Sequence, residues 1–197
     1  MGGHWYKYRL EARMLHIGDV FKGGIYKPTV NYLRATAITF CLRRYLGDKE
    51  IFAFGGEIEG VRKVMLRNPF DRVTLTGRTS GDRGPVQIEY IEDARCEVYV
   101  NKDIGEGIEV LLGGFKSLGF GLSILKKVGE VEVGSYGSGS LVSAIPLPWK
   151  DKFGIKRVES GIYGYLFVPD DVDVLRGRYV KSLFPGSYIY GEKVLIK

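Results

Sequence analysis

The order of the predicted elements favours an α+β fold with a ferredoxin-like arrangement. The first observation is a strictly alternating strand near the N-terminus, over residues 6–14. The second is a segment with helical spacing of apolar residues, over residues 28–46. The third is a later series of alternating and apolar stretches that ends near Val133. Together they give the order strand, helix, strands, helix, strand, which is typical of a ferredoxin-like domain.

The first strand and the first helix each have one apolar face. In the strand, the residues predicted to face the core alternate with charged ones and are Tyr6, Tyr8, Leu10, Ala12 and Met14. In the helix, the apolar stripe consists of Leu33, Ala37, Phe40 and Cys41. We expect Thr29 to cap the N-terminus of this helix and Gly47 to cap its C-terminus.

Two further strands and a shorter helix complete the predicted domain. The strands cover residues 86–90 and 94–100, and the second has its core face at Ala94, Cys96, Val98 and Val100. Asp103 is expected to cap a second helix over residues 106–112. A strand-like run then follows a glycine-rich loop.

The chain is predicted to form one body from two sequence regions. Residues 1–134 form the ferredoxin-like domain, with a basic β-hairpin inserted at about residues 55–85. Residues 135–197 form a β-rich C-terminal extension packed on the same body, with additional strands near residues 162–168, 178–184 and 187–196. Residues 135–140 are rich in glycine and serine and are expected to form a mobile loop.

Composition limits the class of protein. Hydrophobic residues make up 45% of the 197 residues, which favours a packed core over global disorder. No apolar run approaches about 18 residues, and the N-terminus lacks an apolar signal-peptide core, so we expect a cytoplasmic protein without a membrane partner. The net charge of +6 favours a polyanionic ligand.

Few residues offer catalytic or metal chemistry. The two cysteines and two histidines have no metal-ligand spacing, and the sequence contains no Gly-x-Ser-x-Gly elbow and no Walker-type loop. We therefore expect no metal and no cofactor. His16 and Asp19 are the candidate catalytic pair, because they follow the first strand where an imidazole could act on an RNA 2′-hydroxyl. The alternative, which we favour, is that both residues stabilise the turn.

The glycine-rich loop after residue 112 is the most informative motif. Glycine allows positive φ and close backbone approach, and successive exposed N–H groups can form an anion-binding concavity. A lysine and an aromatic ring in such a loop suit an RNA backbone with unstacked bases. The predicted RNA-binding residues of the loop are Gly113, Gly114, Lys116, Ser117, Gly119, Phe120 and Gly121. Phe120 either stacks on a base or packs beneath the loop.

Basic residues elsewhere are candidates for phosphate contacts. Lys22 and Lys27 flank a turn ahead of the first helix. The predicted hairpin carries six cations, namely Arg62, Lys63, Arg67, Arg72, Arg78 and Arg83. Such contacts hold an RNA backbone without reading its sequence. A solvated hairpin whose arginines bind nothing is the alternative.

The loop sequence Gly113-Gly114-Phe115-Lys116-Ser117-Leu118-Gly119-Phe120-Gly121 resembles the glycine-rich loop of the CRISPR-associated RAMP superfamily. That pattern is Gly-Gly, a basic-Ser step, then Gly-aromatic-Gly before a strand. The segment from Lys27 to Ala35 is similar to the proline-led entry to the superfamily's first helix. Within the superfamily, the chain resembles the small subunit that holds the 5′ handle of crRNA in type I effector complexes, of the type I-D variety.

The resemblance implies a non-catalytic crRNA-binding subunit of a Cascade-like complex in antiviral defence. Its partners would be crRNA and the neighbouring backbone and large subunits, with target DNA as a further partner left open. Some superfamily relatives cut RNA with residues placed comparably to His16 and Asp19, so a metal-independent endoribonuclease for repeat RNA is a second hypothesis. A protein–protein scaffold without RNA contact is a third.

Overall fold

A computed structural model describes residues 4–18, 24–68, 85–170 and 176–197. In these ranges one helix packs against a seven-stranded sheet, whose strand order is β2-β5-β1-β7-β6, with β3 and β4 also paired to β5. The elements are β1 His4–Leu15, β2 Tyr26–Lys27, α1 Ala35–Leu46, β3 Ala53–Gly55, β4 Glu59–Arg67, β5 Val86–Val100, β6 Gly107–Leu111 and β7 Leu122–Glu132. This mixed α+β architecture agrees with the predicted fold class.

The central strand β1 has the predicted core face along most of its length. Tyr8, Leu10 and Ala12 are buried and lie opposite Val98, Cys96 and Ala94 of β5. Trp5 lies on the opposite face of β1 and is also buried, because it belongs to a second cluster with Phe54 and Phe153. Strict alternation therefore predicts the core face of the strand but not the burial of Trp5.

Helix α1 begins later than the sequence predicts. Its N-cap is Arg34, so the assignment of Thr29 as N-cap is wrong, whereas Gly47 ends the helix in the left-handed region with φ 70° as predicted. The preceding residues are extended because their backbone groups bond to residues just beyond the ends of β1 and β3. Val30 N–H donates to the Ile17 carbonyl at 3.0 Å, and Thr29 forms a bridge with Gly18.

The predicted second helix is wrong, because residues 107–111 form strand β6. This strand pairs antiparallel with β7, and its side chains alternate between the core and solvent: Val110 is 1% exposed, whereas Leu111 is 50% exposed. Asp103 does not cap a helix. It accepts a hydrogen bond from the Tyr8 hydroxyl at 2.9 Å and pairs with Lys127 at 2.7 Å.

Strand β5 is continuous where the sequence predicts two strands. Asp93 lies near its middle with φ 50°, and the register of β4 against β5 shifts between Glu59 and Val61. This irregularity changes which side chains face each side of the sheet. Val98 beyond it contacts the core beneath α1, whereas Tyr90 before it belongs to a separate small cluster.

Residues beyond the first sheet form two three-stranded sheets, ordered β10-β13-β8 and β11-β12-β9. The strands are β8 Tyr136–Ser140, β9 Ile145–Pro146, β10 Ile155–Ser160, β11 Tyr163–Pro169, β12 Gly177–Leu183 and β13 Tyr188–Glu192. The prediction of a mobile loop over residues 135–140 is wrong, since β8 pairs with β13. The small residues allow close packing, because a Cβ at Gly139 would lie 2.6 Å from the Lys197 carbonyl oxygen.

One aromatic core joins the two sequence regions. Trp5 stacks on Phe153 with ring centroids 5.7 Å apart, and Phe54 contacts both rings edge-on. Leu183 and Ile189 belong to the same buried cluster. The packing of the C-terminal strands on β1 and β3 is thus direct, while a domain boundary at residues 134 and 135 stays a prediction.

Candidate RNA-binding surface

The glycine-rich loop is a tight connection between β6 and β7. The Leu112 N–H donates to the Gly121 carbonyl at 2.8 Å and closes the base of the loop. Between them, Lys116–Leu118 form one 3-10 turn. The loop is therefore a small ordered platform rather than a simple chain reversal.

Positive φ at several loop positions explains the glycines. Gly113, Gly119 and Gly121 have φ of 83°, 85° and 84°. A Cβ at Gly121 would lie 2.0 Å from the Leu112 carbonyl oxygen, and one at Gly113 would lie 2.2 Å from the His16 carbonyl oxygen. Phe115 also has positive φ, at 55°, which is uncommon for a residue with a side chain. Backbone contacts of the loop thus leave no space for side chains at its two ends.

Backbone hydrogen bonds attach the loop to the end of β1. The Gly114 N–H donates to the His16 carbonyl at 2.9 Å, and the Gly121 N–H donates to the Met14 carbonyl at 2.8 Å. These contacts fix the loop against the residues that follow the first strand. The glycine-rich loop and His16, one of the two candidate catalytic residues, are thereby brought together.

An aromatic cluster supports the underside of the loop. Phe120 is fully buried and contacts Tyr90 edge-on, with ring centroids 5.2 Å apart. Phe115 contacts the His16 ring, with centroids 4.8 Å apart. Phe120 therefore packs beneath the loop, and its ring presents no face to a base in this conformation.

The outer side of the loop carries the exposed polar groups. Lys116, Ser117 and Gly119 are all exposed. The Cys41 thiol of α1 lies 3.4 Å from the carbonyl oxygen of Leu111, which places the start of the loop beside the helix. The loop thus presents a cation and polar groups to solvent beside α1.

His16 is a buried structural residue in this arrangement. Its side chain is 4% exposed, and Nδ1 lies 2.7 Å from the Glu89 carbonyl oxygen, so Nδ1 is the donor. Burial lowers the pKa of His16, although the hydrogen bond to the Glu89 carbonyl and the charge of Glu89 act in the opposite direction. A neutral, enclosed imidazole fits the interpretation that His16 stabilises the turn.

Arg34 makes a structural contact that the sequence did not predict. Its guanidinium donates to the carbonyl of Gly18, three residues after the end of β1. Nearby, the Thr29 N–H donates to the Glu89 carboxylate at 2.8 Å. The only sequence signal for this role is an arginine directly before the helix, which by itself predicts nothing specific.

The described cations of the predicted hairpin lie on β4 and differ in their partners. Arg62 lies 3.4 Å from the Glu89 carboxylate, and Lys63 pairs with Glu92. Arg67 is exposed and has no acidic partner among the described residues. These ion pairs were not predicted, because the sequence analysis compared charges only within residues 55–85, and both glutamates lie in β5. Lys27 lies in β2, beside Ile88.

Several predicted site residues cannot be placed. Lys22, Asp19, Arg72, Arg78 and Arg83 lie outside the described residues. Within the described ranges, no group of three or more His, Cys, Asp or Glu side chains is arranged to hold a metal ion. In the same ranges, no helix combines the length and apolar character needed to cross a membrane.

A large cleft of about 780 Å³ lies where the first sheet meets the C-terminal residues. Its charged lining is balanced between four basic and four acidic side chains, namely Arg9, Arg95, Lys193, Lys197, Glu11, Glu57, Glu59 and Glu97. Lys197 pairs with Glu57 at 2.8 Å. Such mixed charge suits a phosphate backbone less well than the glycine-rich loop does.

The fold is shared with chains of CRISPR effector structures. One is a chain in the cryo-EM structure of the Type III-B Cmr-beta bound to cognate target RNA and AMPPnP, with TM-score 0.62 and 11% identity over 95% of this chain and 86% of that chain. Another, from the Type III-B Cmr-beta bound to cognate target RNA, has TM-score 0.55 and 12% identity over 97% of this chain and 86% of that one. No protein-family model and no curated protein sequence matches. These likenesses concern the fold, and they agree with the predicted α+β fold class.

Proposed function

We propose that this protein is a crRNA-binding subunit of a CRISPR effector complex. The observation that carries the proposal is the glycine-rich loop, which presents Lys116 and Ser117 on an ordered turn above a buried aromatic cluster. Exposed polar groups on such a turn suit the phosphates of a single strand. The shared fold with chains of RNA-bound effector structures supports the same conclusion.

In its finer form, the proposal is that the loop and the hairpin hold the 5′ handle of crRNA in the cytoplasm, next to backbone and large subunits. Lys116 pairs with a phosphate, and Arg67 contributes from β4. Arg62 and Lys63 are themselves exposed, and they exchange their glutamate partners for phosphates at small cost, because ion pairs of exposed cations contribute only about 0–1 kcal/mol. Lys22, Lys27 and the arginines at positions 72, 78 and 83 are further proposed phosphate contacts.

Substitution of the loop lysine tests the RNA-binding role. Lys116→Ala should weaken RNA binding in a filter-binding assay without lowering thermal stability, because the side chain is exposed. Loss of one phosphate contact should reduce the slope of log affinity against log salt concentration by about 0.7. Lys150→Ala, at an exposed lysine after β9, is the matched control. An affinity equal to that of the unchanged protein would remove the loop from the RNA-binding surface.

Recovery of the protein from its native cells tests the handle-binding role. Copurified RNAs that share one 5′ handle would support it, and mass spectrometry of accompanying subunits would decide between a type I effector and a type III effector. A random transcript sample, or no RNA, would favour the scaffold hypothesis. Cleavage of repeat RNA by the purified protein in a chelator, lost in His16→Ala, would favour the endoribonuclease.

A further inference from the structure

The hairpin formed by β11 and β12 exposes a row of aromatic rings. Tyr163, Tyr165 and Phe167 alternate along β11, and therefore share one face. Tyr179 and Lys181 of β12 lie opposite Phe167 and Tyr165, which places them on that face as well. We call these five residues the aromatic ladder. Its rings are 49%, 59%, 38% and 63% exposed at Tyr163, Tyr165, Phe167 and Tyr179.

The opposite face of the hairpin explains why the ladder is directed to solvent. Leu166 and Ser182, which alternate with ladder residues, are 1% and 0% exposed. Strand β12 also pairs with β9 through Ser182 and Leu183. One face and the base of the hairpin are thus attached to the body, and the aromatic face has no covering element among the described residues.

Local contacts hold the rings in place. The Phe167 and Tyr179 rings meet edge-on with centroids 5.6 Å apart, and the Lys181 ammonium lies 4.4 Å from the Tyr163 ring centroid. Two glycines make room for rings: a Cβ at Gly161 would lie 2.4 Å from the Tyr163 ring, and one at Gly177 would lie 2.7 Å from the Phe167 ring. Rings positioned in this way lose little conformational freedom when a ligand binds.

Charge favours an anionic ligand over a basic one on this surface, and the exposed rings favour an anion that carries flat bases. Between Tyr163 and Pro169 and between Gly177 and Leu183, the ladder face carries one cation and no acidic side chain. The nearest acidic residue described in the hairpin is Asp170, beyond the end opposite Lys181. An ammonium group beside exposed rings matches a strand that offers both phosphates and flat bases.

We propose that the aromatic ladder is a base-stacking surface for single-stranded RNA, separate from the glycine-rich loop. Same-face residues of a strand are about 6.6 Å apart, close to two stacking steps of about 3.4 Å, so successive rings can each take a base. Stacking of this kind tolerates any base sequence. The proposal rests on RNA being the ligand of this chain, but not on recognition of a handle.

The experiment uses the full chain and a 12-nucleotide oligoadenylate that carries one 2-aminopurine. Stacking of the probe base on a ring quenches its fluorescence. The double substitution Tyr165→Ala and Tyr179→Ala should weaken binding by about fivefold or more and remove the quenching. The pair Tyr165→Phe and Tyr179→Phe should retain both, since the rings remain. The double substitution Tyr165→Leu and Tyr179→Leu keeps an apolar side chain at each position but removes the rings. It should lose affinity and quenching as the Ala variant does, and it serves as the test if the Ala variant folds poorly.

The outcomes separate this proposal from the function proposed above. Tyr45→Ala, at an exposed tyrosine of α1, is the control and should bind like the unchanged protein. Loss of affinity in Lys116→Ala together with unchanged binding and quenching in the Ala and Leu ladder variants would overturn the ladder alone. Failure of the unchanged protein to bind the probe, while it binds crRNA, would overturn the ladder and leave the function proposed above in place. Ladder variants that bind RNA normally but lose a copurifying subunit would assign this face to a protein partner instead.

Discussion

At the scale of single residues, the glycine-rich loop depends on two different properties of glycine. Gly119 and Gly121 have nearly the same φ, 85° and 84°, but their surroundings differ. A Cβ at Gly119 meets no atom within 4 Å, whereas one at Gly121 would lie 2.0 Å from the Leu112 carbonyl oxygen. The first position needs only backbone freedom, and the second also needs an absent side chain.

We therefore expect Gly119→Ala and Gly121→Ala to have unequal effects on the free energy of unfolding. Gly119→Ala should cost about 1–2 kcal/mol, the penalty for a left-handed residue with a Cβ. Gly121→Ala should cost more, because the carbonyl group of Leu112 must also move, which disturbs the hydrogen bond from the Leu112 N–H to the Gly121 carbonyl. Urea unfolding of both variants measures the difference. Equal losses would show that close backbone approach does not matter at Gly121.

At the scale of elements, alternation predicted the strands whose faces differ most. Tyr8, Leu10 and Ala12 could be assigned to the core because charged residues separate them and one side of β1 faces α1. The start of α1 could not be predicted, because hydrogen bonds from Val30 and Leu33 to distant segments override a local preference for helix. Likewise, the residues of the glycine-rich loop could be recognised in the sequence as a motif. Their attachment to His16 could not be predicted, because it depends on a backbone hydrogen bond between residues distant in sequence.

Strand β6 shows why a short apolar run is ambiguous. Residues 108–112 fit both a helical stripe and a strand with two different faces, and the pairing with β7 decides between them. The two geometries differ in which neighbouring side chains are buried. In a helix, Leu111 and Ile108 would share the buried face. In the strand, Val110 is buried and Leu111 is half exposed.

Alanine substitutions at these neighbours should separate the two geometries. Val110→Ala should lower the free energy of unfolding by about 2 kcal/mol, because it removes buried methyl groups from the core beneath α1. Leu111→Ala should change it by less than about 0.5 kcal/mol, as is usual at exposed positions. Thermal or urea unfolding provides the measurement, with each variant the control for the other. A larger loss in Leu111→Ala than in Val110→Ala would instead support a helix over these residues.

At the scale of the whole molecule, the two sequence regions share a core. Phe153 comes from the turn before β10, yet its ring contacts Trp5 of β1 and Phe54 of β3. Removal of the C-terminal strands would expose both of those aromatic rings to water. The hairpin that carries the aromatic ladder and the sheet that carries the glycine-rich loop are therefore parts of one packed unit, joined through this cluster.

Such a shared core predicts that both regions unfold together. Phe153→Ala should lower the free energy of unfolding by about 3–5 kcal/mol, the usual cost of removing a buried phenylalanine ring. Urea transitions followed by tryptophan fluorescence and by far-UV circular dichroism should coincide in the unchanged protein and shift together in the variant, because one cooperative unit has one transition. Tyr45→Ala, at an exposed ring, should leave both transitions in place. If fluorescence shifted in Phe153→Ala while part of the dichroism transition stayed at its original urea concentration, the two regions would be independent folding units that merely touch through this cluster.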